Sequence, residues 1–327
     1  MYLFNPDLET VKKDFKGNLY INKMFNGDAY GSDKASYKKI IKWQLSTNPQ
    51  KKEKAEDDFQ LKVDRNTSFI TSDEDLIVWL GHASFFMRIN GVSFFTDPCL
   101  KDLPIVKRQV GLPCSIYDLI GINYLLISHG HRDHYDESSV KQLLKQNPNM
   151  ELLLPLKISE LLGKQKKKVS FQEAAWWQKF NTTEEVEVIF LPAKHWNRRY
   201  LNDFNRQLWG SFLIRTKEKT VYFGADSAYA NHYKEIKEEF GSPDIAILPI
   251  GAYKPSYVMN EAHMHPGEAV QAFHDLGAKT FIPMHYGTYD LSDEPLGEPL
   301  TILKDLEERK HINGEVKVLN VGEKFLL

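Results

Sequence analysis

The sequence predicts a layered α/β fold, sheets covered by helices, with an N-terminal arm ahead of it. Three observations carry this expectation. Short apolar runs of strand length recur from residue 76 onward, amphipathic segments of helical period stand between some of them, and the first 75 residues are polar and irregular. At 327 residues the chain can bury a sizeable core. We divide it into an arm, 1–75, packing on the core, and a main domain, 76–327.

Within the arm, FNGDAYGSD at 25–33 reads as a loop and KKEKAEDD at 51–58 as a solvated charge run. Between them Tyr37, Ile40, Ile41 and Leu45 recur at helical spacing while Lys34, Lys38, Lys39 and Lys42 take other positions, giving a short basic amphipathic helix. Its apolar face either packs on the main domain or meets a lipid surface, a choice that Trp43 keeps open. LIVWL at 76–80, SFFMRI at 84–89 and VSFFT at 92–96 then form a β-meander, with Asn90-Gly91 as a two-residue hairpin turn. Further strands are expected at 123–128, 151–155, 186–192, 209–215, 220–224, 245–250 and 280–284. Helices are expected at 137–147, 231–240, 266–277 and 301–310, the third opened by Pro266 and closed by Gly277.

Charge and cysteine usage narrow the partners. Lysine plus arginine number 42 against 44 acidic residues, a formal charge of -2, so no global basic field points to nucleic acid. Cys99 and Cys114 are too few for a disulfide framework and match no zinc or redox spacing, which suggests a reducing, cytoplasmic setting. The opening MYLFNPDLETVKKDF lacks the uninterrupted apolar stretch of a secretory signal, and the longest apolar runs are strand-sized.

The chemistry gathers where strands end. After the strand at 123–128 come His129, His131, Asp133 and His134, four metal-type side chains in one short loop. Imidazole suits zinc and related divalent ions, and the carboxylate can reach a second ion nearby. An isolated histidine is usually a satisfied core or surface residue. Three with an aspartate would repel one another if protonated and be costly to bury unpaired, and a metal resolves both difficulties. His195, Asp226 and His285 stand in the same context, each at the end of an apolar run.

The pattern HxHxDH followed by distant His, Asp and His resembles the metallo-β-lactamase superfamily. Longer stretches resemble the branch of N-acyl-phosphatidylethanolamine-hydrolysing phospholipase D and its bacterial relatives: WLGHASFFMRINGVSFFTDP at 79–98, LISHGHRDHYD at 126–136, PAKHWNRR at 192–199, PIGAYKPSYVMNEAHMHPGEAV at 249–270 and MHYGTYDLSDEP at 284–295. The resemblance spans about residues 76–300 and leaves no room for the large inserted domain of RNA-processing relatives. It implies an αββα four-layer sandwich holding two divalent ions, zinc by preference with iron or manganese as alternatives. One ion would be held by His129, His131 and His195, the other by Asp133, His134 and His285, with Asp226 bridging. Gly224-Ala225-Asp226 departs from the family's tighter Gly-Asp by one residue, so the local loop should differ. Asp97 is expected behind the ligands as a loop organiser.

The resemblance further implies hydrolysis by a hydroxide shared between two ions. Asp133 is expected to orient that hydroxide, as the ligand whose carboxylate can face both an ion and the attacking oxygen. His263 aligns with a histidine at the family's active-site edge, where it would bind phosphate or assist the leaving group. The alternative is a helix-entry role beside Pro266. His265 and His82 read as structural or surface residues. Arg198 and Arg199 are candidates for a substrate phosphate, and Trp196, Tyr253 and Tyr257 for a pocket lining or the core. The expected activity is a phosphodiesterase acting on N-acyl-phosphatidylethanolamine or a related phospholipid. Alternatives are a soluble lactonase or sugar-phosphate hydrolase resembling ascorbate-6-phosphate lactonase, and a metal-dependent sensor without turnover. Peripheral membrane contact and a homodimer accompany the first reading. An antibiotic-hydrolysing lactamase would not ordinarily carry Asp226, and a di-iron oxygen reductase normally has glutamate where this chain has His131.

Overall fold

A computed structural model describes the chain except residues 28, 29 and 32–35 and the side chains of 36–38. Part of the 25–33 loop, Lys34, and the face positions Tyr37 and Lys38 therefore lie outside the described residues. Two large sheets lie face to face. One runs, in spatial order, Ser170–Ala174, Glu151–Pro155, Tyr124–Leu126, Val92–Thr96, Phe85–Ile89, Leu76–Trp79 and Lys324–Leu326. The other runs Glu315–Val316, Thr280–Met284, Ile245–Pro249, Thr220–Phe223, Ser211–Arg215, Glu187–Leu191, Gln178–Lys179 and Glu9–Thr10.

Alternation along the strands decides which side chains meet between the sheets. Ile77, Trp79, Phe85, Met87, Phe94 and Leu126 turn inward, where the core includes Phe190, Phe212, Ile214, Phe223 and Ile282. Leu76, Val78, Phe86, Phe95, Leu125 and Ile127 turn to the other face, which the helix Glu137–Gln146 covers through Val140 and Leu143. Helices His232–Phe240, Pro266–Leu276 and Glu298–Glu308 bury Tyr233, Ile236, Val270, Phe273, Leu300 and Leu303 and cover the second sheet. The result is the four-layer αββα order that the resemblance implies. Each buried Leu, Ile or Phe is worth roughly 1.5–3 kcal/mol of apolar transfer.

Local chemistry sets the element ends. Asn90 and Gly91 both take positive φ, 51° and 75°, the condition for a two-residue turn between right-twisted strands. The Asp136 carboxylate accepts from the Ser138 and Ser139 amides and opens the first helix. Gly277, with φ +66°, ends the helix begun by Pro266. The last long helix starts at Glu298 rather than 301, because Pro299 occupies its first turn. The arm is more ordered than its composition suggests. Tyr2–Leu3, Asn18–Ile21 and Met24–Phe25 form a small sheet, Glu9–Thr10 adds the edge of the large one, and Ser36–Gln44 is the basic amphipathic helix.

Candidate metal centre

The loops after Tyr124–Leu126, Glu187–Leu191, Thr220–Phe223 and Thr280–Met284 meet at one rim of the two sheets, and the seven ligand-type side chains converge there. His129 Nε2 lies 2.8 Å from His131 Nδ1, and His195 Nε2 lies 3.1 Å from the same atom. Asp226 Oδ2 stands 3.9 Å from His129 Nε2 and 3.8 Å from His195 Nε2. It also stands 3.0 Å from His134 Nε2, while Asp226 Oδ1 is 3.1 Å from His285 Nε2. Asp133 Oδ2 is 3.6 Å from both His134 Nε2 and His285 Nε2. The Asp226 carboxylate thus lies between two groups of nitrogens, one formed by His129, His131 and His195 and the other by His134 and His285 beside Asp133.

His131 Nδ1 is within hydrogen-bond distance of His129 Nε2 and His195 Nε2, but other ligand atoms have no such partner. His131 Nε2, His134 Nε2, Asp226 Oδ1 and both ring nitrogens of His285 are buried without a hydrogen-bond partner. Orphaned polar atoms of this kind are costly in a folded core. Lone pairs aimed at common points, 2.8 to 3.9 Å apart, suit divalent ions. The residues therefore fit the two metals that the resemblance implies.

Behind the ligands, a further set of hydrogen bonds fixes ring orientation. Asp97 Oδ2 is 2.8 Å from His134 Nδ1 and accepts from the Ser128 hydroxyl at 2.6 Å. Ser128 Oγ lies 2.9 Å from His129 Nδ1, and the Ala262 carbonyl accepts from His195 Nδ1 at 2.9 Å. Asp97 is buried and organises the loop as expected. Gly130 lets the chain pass close to Asn197, whose Oδ1 accepts the Gly130 amide at 2.7 Å; a Cβ there would sit 2.9 Å from that oxygen. The extra residue before the aspartate, Ala225, is buried and left-handed, φ +50°, a turn that still delivers Asp226 to the centre.

Electrostatics divide the histidines. Burial pushes His129 and His195 well below their ordinary range and His131 to about 4, so these rings are neutral. Burial also opposes charge on His134 and His285, but the carboxylates of Asp226 and Asp133 outweigh it. They hold His134 well above its usual value and raise His285 to about 9. Burial works against ionisation of Asp133 and Asp226 too. The neighbouring histidines, His134 foremost, nevertheless keep both carboxyls well below the usual range.

The centre floors a cavity of about 400 Å³. His263 lines it, with Nδ1 4.0 Å from Asp226 Oδ2 and its ring 5.4 Å from that of His285. Trp196 lies against His131, ring centroids 4.5 Å apart, and joins the same wall. Arg198 lines the cavity, but Arg199 does not. Its guanidinium donates to the Tyr135 carbonyl at 2.8 Å and the Gly130 carbonyl at 3.3 Å, so it fastens the histidine loop. Tyr253 is buried and bonds Glu298 from a neighbouring groove, and Tyr257 is exposed. His265 accepts from the Gly267 amide and caps its helix, the structural role expected.

Three contributors escaped the sequence reading. His82 is fully buried in the centre, its Nε2 3.0 Å from Asp133 Oδ2, so a surface position is corrected and its structural role is at the centre itself. It too follows a strand end, Leu76–Trp79, and that signal was available. Arg132, between two ligands in sequence, faces the cavity. The arm helix supplies Ile40, Trp43 and Gln44 to the wall, and Trp43 Nε1 donates to Asp293 at 2.9 Å.

Residues 94–286 match the beta-lactamase superfamily domain. The chain is 30% identical over 249 residues to the N-acyl-phosphatidylethanolamine-hydrolyzing phospholipase D 1 of Caenorhabditis elegans, covering 71% of this chain and 69% of that one. It is also 30% identical over 241 residues to the mitochondrial N-acyl-phosphatidylethanolamine-hydrolyzing phospholipase D of Saccharomyces cerevisiae, covering 70% of this chain but 51% of the yeast one. Among solved structures, the isothiocyanate hydrolase from Delia radicum gut bacteria shares the fold at a TM-score of 0.62 and 15% identity, over 77% of this chain and 98% of its own. With its two stacked sheets, its HxHxDH loop and the matching stretch between them, the chain belongs to the beta-lactamase superfamily of metal-dependent hydrolases.

Proposed function

We propose that the protein is a dinuclear zinc phosphodiesterase that hydrolyses N-acyl-phosphatidylethanolamine or a related glycerophospholipid. One observation carries the reading: seven ligand-type side chains converge on the floor of a cavity that is apolar on one wall and carries arginines at another. The activity named for the worm and yeast relatives supports the choice of substrate. His129, His131 and His195 would hold one ion, Asp133, His134 and His285 the second, with Asp226 shared. When bound, the pair supplies an activated water at neutral pH and Lewis acidity for the phosphoryl oxygens.

The chain's own residues do the rest. Asp133 orients the attacking water, and Arg132 and Arg198 pair the phosphate oxygens. His263, beside Asp226 and facing the cavity, hydrogen-bonds the phosphate or the departing oxygen. Water oxygen bonds to phosphorus, the bond from phosphorus to the ethanolamide oxygen breaks, and that oxygen takes up a proton. Ile40, Trp43, Phe204, Val258 and Met259 form the wall against which the acyl chain rests.

The cavity rim suits a lipid source. Ile41 on the arm helix, Leu45 just after it, Tyr200 and Leu201 beyond Arg198, and Tyr257 are all exposed, on or next to the elements that wall the cavity. Apolar tips near Lys42, Arg132 and Arg198 match an anionic bilayer interface. The contact proposed is peripheral, through these exposed tips; among the described residues no helix is long and apolar enough to cross a membrane.

Mass spectrometry of zinc-loaded protein with N-acyl-phosphatidylethanolamine in mixed micelles tests the reading. Release of N-acylethanolamine and phosphatidic acid is expected. Intact lipid from protein verified to hold two ions would sink the phospholipase and move the substrate to a small soluble ester.

A further inference from the structure

His82 is placed by more of the structure than its neighbours in sequence would suggest. It follows the strand Leu76–Trp79 in a left-handed conformation, φ +56°, that a non-glycine residue adopts only when its surroundings impose it. Those surroundings are specific. Its amide donates to Thr288 Oγ1 at 2.8 Å, and its carbonyl accepts from Trp79 Nε1 at 2.9 Å and from the His285 amide at 3.1 Å. The ring lies 4.0 Å, centroid to centroid, from that of His285, and Tyr289 meets it edge-on at 5.1 Å. The whole residue is bolted to the turn that carries His285.

The free end of the ring points the other way. Nε2 is 3.0 Å from Asp133 Oδ2, the same oxygen that lies 3.6 Å from His134 Nε2 and from His285 Nε2. An ionised carboxylate only accepts, so His82 Nε2 carries the hydrogen of this bond. One residue thus joins two ligand-bearing loops, its backbone holding the turn of His285 and its ring the carboxylate of Asp133. Among the described residues, the hydrogen bonds and ring contacts of His82 go to the loops of Asp133, His134 and His285 and to Trp79, not to His131 or His195.

We infer that His82 is a positioning residue for the second ion, its Nε2–H fixing the Asp133 oxygen that faces His134 and His285. The inference rests on the two-ion reading of the centre. Losing the donor frees the Asp133 carboxylate to rotate, which weakens the second ion and leaves the His129, His131 and His195 group intact. Removing an outer hydrogen-bond partner of a metal ligand typically lowers metal affinity about 10- to 100-fold.

Equilibrium dialysis against Co2+ at fixed pH, followed by the absorption bands of the bound ion, tests this on the full chain. His82→Phe keeps a ring against His285 and Tyr289 but removes the donor. His82→Gln returns a donor near the Nε2 position. The wild type should take two ions. His82→Phe should bind the first with wild-type affinity and the second about 10- to 100-fold more weakly, with a shifted second-ion spectrum, and His82→Gln should recover most of the loss. If His82→Phe does not fold by circular dichroism, His82→Asn, whose amide is too short to reach Asp133, takes its place. Second-ion affinity equal to wild type in the donor-free variant overturns the inference, as does a His82→Gln no better than it, since packing alone would then explain the effect. Saturation of the wild type at one ion would overturn the two-ion reading itself, a result separate from either.

Discussion

Asp133 and Asp226 are both carboxylates among histidines, yet their surroundings separate their tasks. Asp226 is almost fully buried, 3.0 to 3.9 Å from nitrogens on both sides, a position that suits a shared ligand. Asp133 gives one oxygen to His82 and keeps 17% of its side chain exposed, against 1% for Asp226, so it can meet a substrate-side water. Asp133→Asn keeps the shape and removes the charge. In Asp133→Asn protein loaded with excess zinc until elemental analysis shows two ions, turnover should fall about 10²- to 10⁴-fold, the usual span for a proton-handling group; unchanged turnover would end this role for Asp133. Asp97 acts one step further out. Asp97→Asn, which leaves His134 Nδ1 without its anionic acceptor, should lower metal affinity about 10- to 100-fold while a soluble substrate's KM stays unchanged, and a KM effect would show Asp97 acting on substrate instead. At this scale the ligands were legible because each follows an apolar run, from His129 after one strand to His285 after another. His82 obeys the same rule, but a lone histidine without a motif partner gives no sign that its ring will reach Asp133. The role of Arg199 was hidden too, since sequence cannot show that backbone carbonyls at Gly130 and Tyr135 consume its guanidinium.

Elements set what the site can accept. The arm helix Ser36–Gln44 turns Ile40 and Trp43 to the cavity and leaves Ile41 to solvent; Leu45, just after its end, is 84% exposed. The two faces predict separable effects. Trp43→Ala should raise KM for a long-chain N-acyl substrate several-fold and leave kcat on a short soluble phosphodiester unchanged; equal losses on both substrates would mean the tryptophan only props the fold through Asp293. Ile41→Ser with Leu45→Ser should weaken binding to anionic phosphatidylglycerol vesicles in sedimentation while soluble-substrate turnover persists, and undiminished sedimentation would remove the helix from the membrane contact. Deleting the arm outright is a poorer test. Glu9–Thr10 pairs with Gln178–Lys179, and the Tyr30 carbonyl accepts from the His195 amide at 3.1 Å, so truncation would disturb a ligand directly. Buried strands such as Val92–Thr96 and Thr280–Met284 appeared in the sequence at their observed bounds, because both faces are apolar. Edge pieces did not. Ser170–Ala174 reads SFQEA and Glu9–Thr10 is two residues long, and such strands exist only because a neighbour offers its backbone.

Across the molecule, the two halves of the centre differ in charge before any metal arrives. His129, His131 and His195 are held neutral by burial, with His131 pushed down to about 4. At neutral pH that group offers free lone pairs. His134 and His285 behave oppositely: against the cost of burial, Asp226 and Asp133 keep both protonated, His285 up to about 9. An incoming ion must displace those protons, because a ligand nitrogen cannot hold both. The sign follows directly. Below about 9 protons compete for the second group, so its affinity should climb as pH rises from 6 toward 9, whereas the first group, already deprotonated, should bind with little change over that range. Filling should therefore be ordered at neutral pH, the three-histidine group first. Calorimetric zinc titration in two buffers of different ionisation enthalpy checks the argument: the first ion should release almost no protons, and the second close to two. Equal proton release in both steps would place the charge differently, on a ring of the first group, and would remove the physical basis for ordered loading.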